Sequence, residues 1–175
     1  MHRHVEPKGV SIVRRRNFLI LAIFMLAGCA SFQPTNAPAP NIYIMRHLNT
    51  PQGAVDPDLT PQGMATAVAL AQWISRDPPS VIFVSNTKRA KQTAAPTAAR
   101  YGVSPTLYDP RDTPGLVTSV LAQRGTVLIV GHSNTVPDII AALGGERPEP
   151  LVHEDFGDIW HLEGPERTAI RVKLP

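Results

Sequence analysis

Asn41-Ile-Tyr-Ile-Met45, Val81-Ile-Phe-Val84 and Thr126-Val-Leu-Ile-Val130 are short, nearly continuous apolar runs of the kind that fill strands buried on both faces. Each is followed by polar residues and then by apolar positions at helical spacing. Thr60-Pro61 supplies an N-cap and a first-turn proline for an alanine-rich helix over 63–75, with Ala67, Leu70, Ala71 and Ile74 on one face. Further helices are predicted over 88–100, 114–123 and 134–143, with Pro96 shortening or kinking the first of these. Thr106-Leu-Tyr108 is a weaker strand, and 158–162 and 168–172 add strands at the end. Strands alternating with helices predict parallel βαβ units, hence an α/β fold: a three-layer α/β/α sandwich around a mostly parallel central sheet. No internal repeat of about 20 to 50 residues is visible, which removes solenoids and propellers.

Ahead of residue 41 the pattern changes. Arg14-Arg15-Arg16 precedes the apolar run 18–27, followed by small residues and the single cysteine, Cys29, which is the layout of a secretory signal peptide. Ten apolar residues are too few for a permanent membrane span. Leu26-Ala27-Gly28-Cys29 resembles the lipobox of bacterial lipoproteins, in which cleavage before the cysteine accompanies its acylation. Arg15-Arg16-Asn17-Phe18-Leu19 also resembles a twin-arginine export signal. Residues 1–28 are therefore expected as a signal peptide, Cys29 as the lipidation site, and the Pro-rich stretch 29–40 as a tether. The folded domain is expected over 41–175, held at a membrane of the cell envelope by lipid on Cys29. Ala30 after the cysteine is similar to outer-membrane sorting, with the domain facing the periplasm.

That division changes the meaning of the charge. The formal net charge of +3 would suit an acidic partner, but Arg3, Lys8, Arg14, Arg15 and Arg16 all precede Cys29. From Cys29 onward 12 basic residues face 13 acidic ones, so no nucleic-acid footprint remains. With 43% hydrophobic and 18% charged residues the chain has an ordinary globular composition.

In open α/β sheets ligands sit beyond the carboxyl ends of the strands. Arg46 and His47 follow the first strand; Ser85, and then Arg89 at the start of a helix, follow the second. Asp109 follows the weak third and His132 the fourth. Such a cluster suits a phosphoryl group, because guanidinium forks bind phosphate oxygens bidentately, helix N-termini near Arg89 or Ser133 add N–H donors, and neutral imidazole is a nucleophile.

The residues now resemble a known group. Arg46-His47-Leu-Asn-Thr50 is similar to the Arg-His-Gly signature of the histidine phosphatase superfamily, also called phosphoglycerate mutase-like. Asp58-Leu-Thr-Pro-Gln-Gly63 resembles its Leu-Thr-x-x-Gly helix start, Ser85-Asn-Thr-Lys-Arg89-Ala-Lys-Gln-Thr93 its Ser-x-x-x-Arg-Ala-x-x-Thr segment, and Gly131-His132-Ser133 its second Gly-His motif. The resemblance implies that His47 attacks phosphorus while Arg46, Arg89 and His132 hold the equatorial oxygens. It also implies a proton donor after a Leu-x step, matched by Leu107-Tyr108-Asp109, with Asp112 as the alternative; such a donor needs a raised pKa. Asn49, Ser85 and Ser133 are expected beside the substrate. Leu48-Asn49 departs from the usual Gly and acidic residue, a difference that bears on pocket shape and removes no catalytic group.

Other chemistry is poorly supported. Gly131-His-Ser-Asn-Thr135 is not the Gly-x-Ser-x-Gly elbow of serine hydrolases, and Ser133 reads as a helix N-cap. Asp56 and Asp58 lack the paired spacing of a metal site, so neither metal nor cofactor is expected. His153 and His161 lie in a segment with no partner motif, and Glu154-Asp155-Asp158 reads as a solvated loop. About 40 residues separate His47 from Arg89, too few for the lid insertions of larger mutases. The expectation is a metal-independent phosphomonoester hydrolase of the small branch, acting on a phosphorylated small molecule of the envelope. The alternatives are a phosphohistidine-protein phosphatase, a non-catalytic lipoprotein that captures phosphorylated ligands, and an envelope interaction protein that retains only the fold.

Overall fold

The computed structural model describes residues 1–2 and 39–175. The rest of the expected leader, Cys29 and the tether to residue 38 lie outside the described residues. The chain forms β1 (Asn41–Arg46), α1 (Pro61–Trp73) with a 3-10 turn (Ile74–Arg76), β2 (Val81–Ser85), α2 (Lys88–Tyr101) and β3 (Thr106–Tyr108). It continues with α3 (Thr113–Leu121), β4 (Thr126–Gly131), α4 (Val136–Ala142), β5 (Asp158–Glu163) and β6 (Thr168–Lys173). The six strands make one sheet in the order β3-β2-β4-β1-β5-β6. β1 to β4 are mutually parallel, β5 runs against β1, and β6 runs against β5. This is the α/β, mostly parallel arrangement that the apolar runs predict.

Alternation along the strands sets the layers. Tyr43 and Met45, Ile82 and Val84, and Leu128 and Val130 face one side, where they pack with Leu70 and Ile74 and with Ala90 and Ala94 of α2. Ile42 and Ile44, Phe83, and Val127 and Ile129 face the other, against Leu116 and Val120 of α3 and Ile139 and Ile140 of α4. Central strands buried on both faces leave no polar alternation, which explains the continuous apolar runs.

The helices shift by one or two residues from expectation at several ends, and two of the differences have a local cause. α2 continues through Pro96 to Tyr101, because Thr93, Ala94 and Thr97 are buried on its inner face and packing outweighs the hydrogen bond that proline removes. α4 begins at Val136, not at residue 134. Thr135 Oγ1 accepts from the His132 N–H at 3.0 Å, and Val136 N–H donates to the His132 carbonyl at 2.9 Å, so a turn occupies 132–135 and Ser133 is not the N-cap.

The start of α1 follows the predicted chemistry and also fixes the chain leaving β1. Thr60 Oγ1 accepts from Gly63 N–H at 3.1 Å, and Thr60 N–H donates to the Asn49 carbonyl at 2.8 Å. A Cβ on Gly63 would lie 2.6 Å from that same carbonyl oxygen and 3.1 Å from Asn49 N. Gly63→Ala should therefore destabilise the protein by about 1–3 kcal/mol, although alanine is the better helix former by roughly 1 kcal/mol. Urea unfolding checks this; an unchanged or raised midpoint would show that the backbone contact carries no weight.

Candidate active site

The parallel pairing of β1 with β4 puts Arg46 opposite Gly131, and the His47 N–H continues the ladder to the Gly131 carbonyl at 2.9 Å. His47 and His132 are thereby brought together just past adjacent strand ends, with ring centroids 5.5 Å apart. Gly131 has to be small: a Cβ there would sit 3.0 Å from Thr135 Oγ1 and 3.1 Å from the Tyr108 hydroxyl. β2, on the other side of β4, brings Ser85 and the N-terminal turn of α2 to the same edge, and Arg89 NH2 lies 3.4 Å from His132 Nδ1. Arg46, His47, Ser85, Arg89 and His132 thus form one cluster.

Hydrogen bonds decide which ring nitrogen each histidine offers. His47 Nδ1 lies 2.9 Å from the Leu48 carbonyl, which can only accept, so Nδ1 carries the proton and Nε2 keeps its lone pair. His132 Nε2 lies 2.8 Å from Ser85 Oγ, and its Nδ1 faces the donor Arg89 NH2. A neutral His132 therefore donates from Nε2 to Ser85. Ser85, expected beside the substrate, is fully buried and serves to orient His132; its hydroxyl also pairs with Thr87 Oγ1 at 3.1 Å.

Burial and positive neighbours keep both rings neutral. His47 is pushed down to about 3, first by burial and then by Arg46, Arg89 and His132, against the opposing Leu48 carbonyl. His132 falls to about 4 by burial and the two arginines, with Asp56 opposing. Arg46 is 9% exposed, donates from NH1 to the Val152 carbonyl at 2.9 Å and lies 4.0 Å from the centre of the Phe156 ring. Its buried Nε has no protein partner. That is a donor held ready for an external acceptor.

Leu48 leaves the pocket altogether. Its side chain is fully buried in the core with Leu59 and Ala90, and its N–H donates to Thr93 Oγ1 at 2.9 Å. Asn49 is half-buried and lines a cleft of about 320 Å³ with Gln62, Thr66, His153, Glu154 and Phe156. Ser133 is half-buried in the 132–135 turn.

The carboxylates of both expected proton donors are bound to local partners. Every side-chain hydrogen bond of Asp109 among the described residues is to Arg111, at 3.0–3.1 Å, and this holds its carboxyl below the ordinary range instead of raising it. Asp112 caps α3, accepting from Gly115 N–H at 2.9 Å.

Two contributions escape sequence reading. Asp56 contacts Arg89 NH1 at 3.1 Å. Phe156 covers Arg46 and sits 5.8 Å from the His47 ring, because the reversed direction of β5 returns the preceding segment to this edge. In that segment Asp158 is 3% exposed and paired with Arg171 and Lys173, which corrects its reading as part of a solvated loop. Antiparallel strand direction was the only signal available for Phe156, and apolar runs do not carry it. Among the described residues no group of three or more His, Cys, Asp or Glu could hold a metal ion.

No curated protein sequence matches the chain. The model of the histidine phosphatase superfamily (branch 1) matches residues 42–111. Among solved structures, the chain is similar to a SixA-type protein of Nakamurella multipartitia, at 22% identity, covering 79% of this chain and 96% of that one, with a TM-score of 0.55. It is similar to a mycobacterial glucosyl-3-phosphoglycerate phosphatase at 16% identity, covering 77% and 97%, with a TM-score of 0.60. It is also similar to the protein histidine phosphatase SixA complexed with tungstate, at 18% identity, covering 75% and 94%, with a TM-score of 0.58. These likenesses are of fold, and His132 lies beyond the matched segment, so its place in the cluster rests on geometry. Residues 42–111, with Arg46, His47, Ser85 and Arg89 among them, thus match the histidine phosphatase superfamily (branch 1), and the sheet shares the fold of these solved structures.

Proposed function

We propose that this protein is a phosphomonoester hydrolase working through a phosphohistidine on His47, on a phosphorylated small molecule of the cell envelope. One observation carries the reading: His47 presents an unprotonated Nε2 beside Arg46, Arg89 and His132, with its Nδ1 proton fixed on the Leu48 carbonyl. Nε2 attacks phosphorus, the P–N bond forms as the ester P–O bond breaks, and the leaving oxygen departs opposite His47. That oxygen takes a proton from solvent; water then attacks the phosphohistidine, its P–O bond forms as the P–N bond breaks, and the proton it gives up returns to solvent as phosphate and the free ring are released. The guanidinium of Arg46, with its unpartnered Nε, and that of Arg89 bind the equatorial oxygens, where contacts strengthen as charge redistributes. No metal takes part in these steps. In this reading a lipid on Cys29 carries the domain at a membrane surface, facing the periplasm, after export through the leader.

A second reading is favoured by Asp109. With its carboxylate bound to Arg111, Asp109 offers no proton to an alkoxide, which suits leaving groups that carry their own proton. A phosphorylated imidazole is one, so a phosphohistidine-bearing protein is the alternative substrate. The two readings separate in a comparison of an alkyl phosphate with a histidine-phosphorylated protein.

Turnover of 4-nitrophenyl phosphate in the presence of a chelator should be lost, by at least about a thousandfold, in His47→Ala. Acid quench of the wild type should trap phosphate on His47. Wild-type protein that binds phosphate but never turns over would leave a capture protein instead.

The pH profile has a defined sign. Protonation of His47 removes the nucleophilic lone pair, so the rate falls with falling pH, and the depressed pKa moves that fall from near 6.5 to about 3. kcat/KM, corrected for substrate ionisation, should show no enzyme limb between pH 7 and 5. A free-enzyme limb at 6 to 7 would mean that His47 is hydrated.

A further inference from the structure

Asp56 stands at the end of the loop that leaves the nucleophile strand, in a left-handed backbone conformation with φ of 49° that aspartate tolerates better than most residues. Its carboxylate accepts from the Lys88 N–H at 3.0 and 3.3 Å, at the first turn of α2, and from Arg89 NH1 at 3.1 Å. The flanking chain is strapped to the same helix. Gln92 Nε2 donates to Asp58 Oδ1 at 2.9 Å, and Leu59 N–H donates to Gln92 Oε1 at 2.8 Å. The loop therefore delivers a carboxylate to the Arg89 side of the cluster.

We infer that Asp56 is a positioning residue: it grips Arg89 by NH1 and so sets the guanidinium plane that presents NH2, beside His132, to the phosphoryl group. A guanidinium is planar, so fixing one nitrogen fixes the directions of its remaining N–H bonds. Asp56 is itself held by the backbone of the helix that carries Arg89, so support and supported group move together. The cost of Asp56 is repulsion of the incoming phosphate, and the contact with NH1 explains why a carboxylate is tolerated there.

This assignment rests on the cluster being a phosphoryl site, and the two fail differently. Full-length protein in detergent is titrated with vanadate, and 4-nitrophenyl phosphate kinetics are run alongside, for wild type, Asp56→Ala, Arg89→Ala and the double variant. Asp56→Ala should weaken vanadate about tenfold and lower kcat by a similar factor with little change in KM. In the Arg89→Ala background the same substitution should have no further effect, because the group it orients is gone. Asp58→Ala, which loosens the same loop without touching Arg89, should leave kcat and vanadate affinity unchanged, and thermal melting shows that each variant is folded.

Wild-type binding of vanadate with equal affinity in Asp56→Ala would overturn the positioning role alone. So would equal losses from Asp56→Ala with and without Arg89, or an Asp58→Ala effect as large as that of Asp56→Ala. Wild-type protein that neither binds vanadate nor turns over substrate would remove the phosphoryl-site reading itself.

Discussion

Everything at the candidate site depends on the register of two parallel strands. Arg46 faces Gly131, and one further backbone hydrogen bond, from His47 N–H to the Gly131 carbonyl, carries the pairing past the strand ends. A slip of one residue would turn every side chain of β1 to the opposite face and send His47 away from His132. The register is held by apolar alternation, with Tyr43 and Met45 committed to the α1–α2 side and Ile42 and Ile44 to the α3–α4 side. Core packing and chemistry are thus set by one choice of alignment.

The same edge concentrates positive charge, and that decides protonation. Two buried or half-buried arginines stand beside two buried histidines, and a proton on either ring would add charge where solvation is poor. The rings stay neutral, and the carbonyl of Leu48 and the hydroxyl of Ser85 fix their tautomers. The two rings are oriented by different partners within one field. The arginines discourage protonation of His47 and at the same time make this edge attractive to an anion.

Most of this was legible in the sequence because it is local or sits at strand ends. Buried parallel strands announce themselves as continuous apolar runs, and the residues after them fall at the ligand edge by topology, which is how Arg46, His47, Arg89 and His132 were found. Asp109 follows the same positional rule, and the sequence did not show that Arg111 two residues on binds its carboxylate. Ser133 looked like a cap by residue type, but Thr135 closes a turn on His132 first. Asp56 and Phe156 were out of reach because they arrive from loops. Nothing in residues 50–58 announces a return onto α2, and the contact of Phe156 with Arg46 requires the reversal of β5, a property of pairing and not of composition.

Leu48 carries a consequence for motion. A glycine after His47 would leave the loop free to breathe on its own. Here the residue next to His47 is a side chain buried among Leu59 and Ala90, with its amide bonded to Thr93 of α2. Moving the loop that carries His47 means extracting a leucine from the core, which exposes apolar surface at about 25 cal/mol per Å². His47 therefore belongs to the cooperative unit of the domain, and its backbone opens only with the core, on the slow timescale of global unfolding and not that of a surface loop.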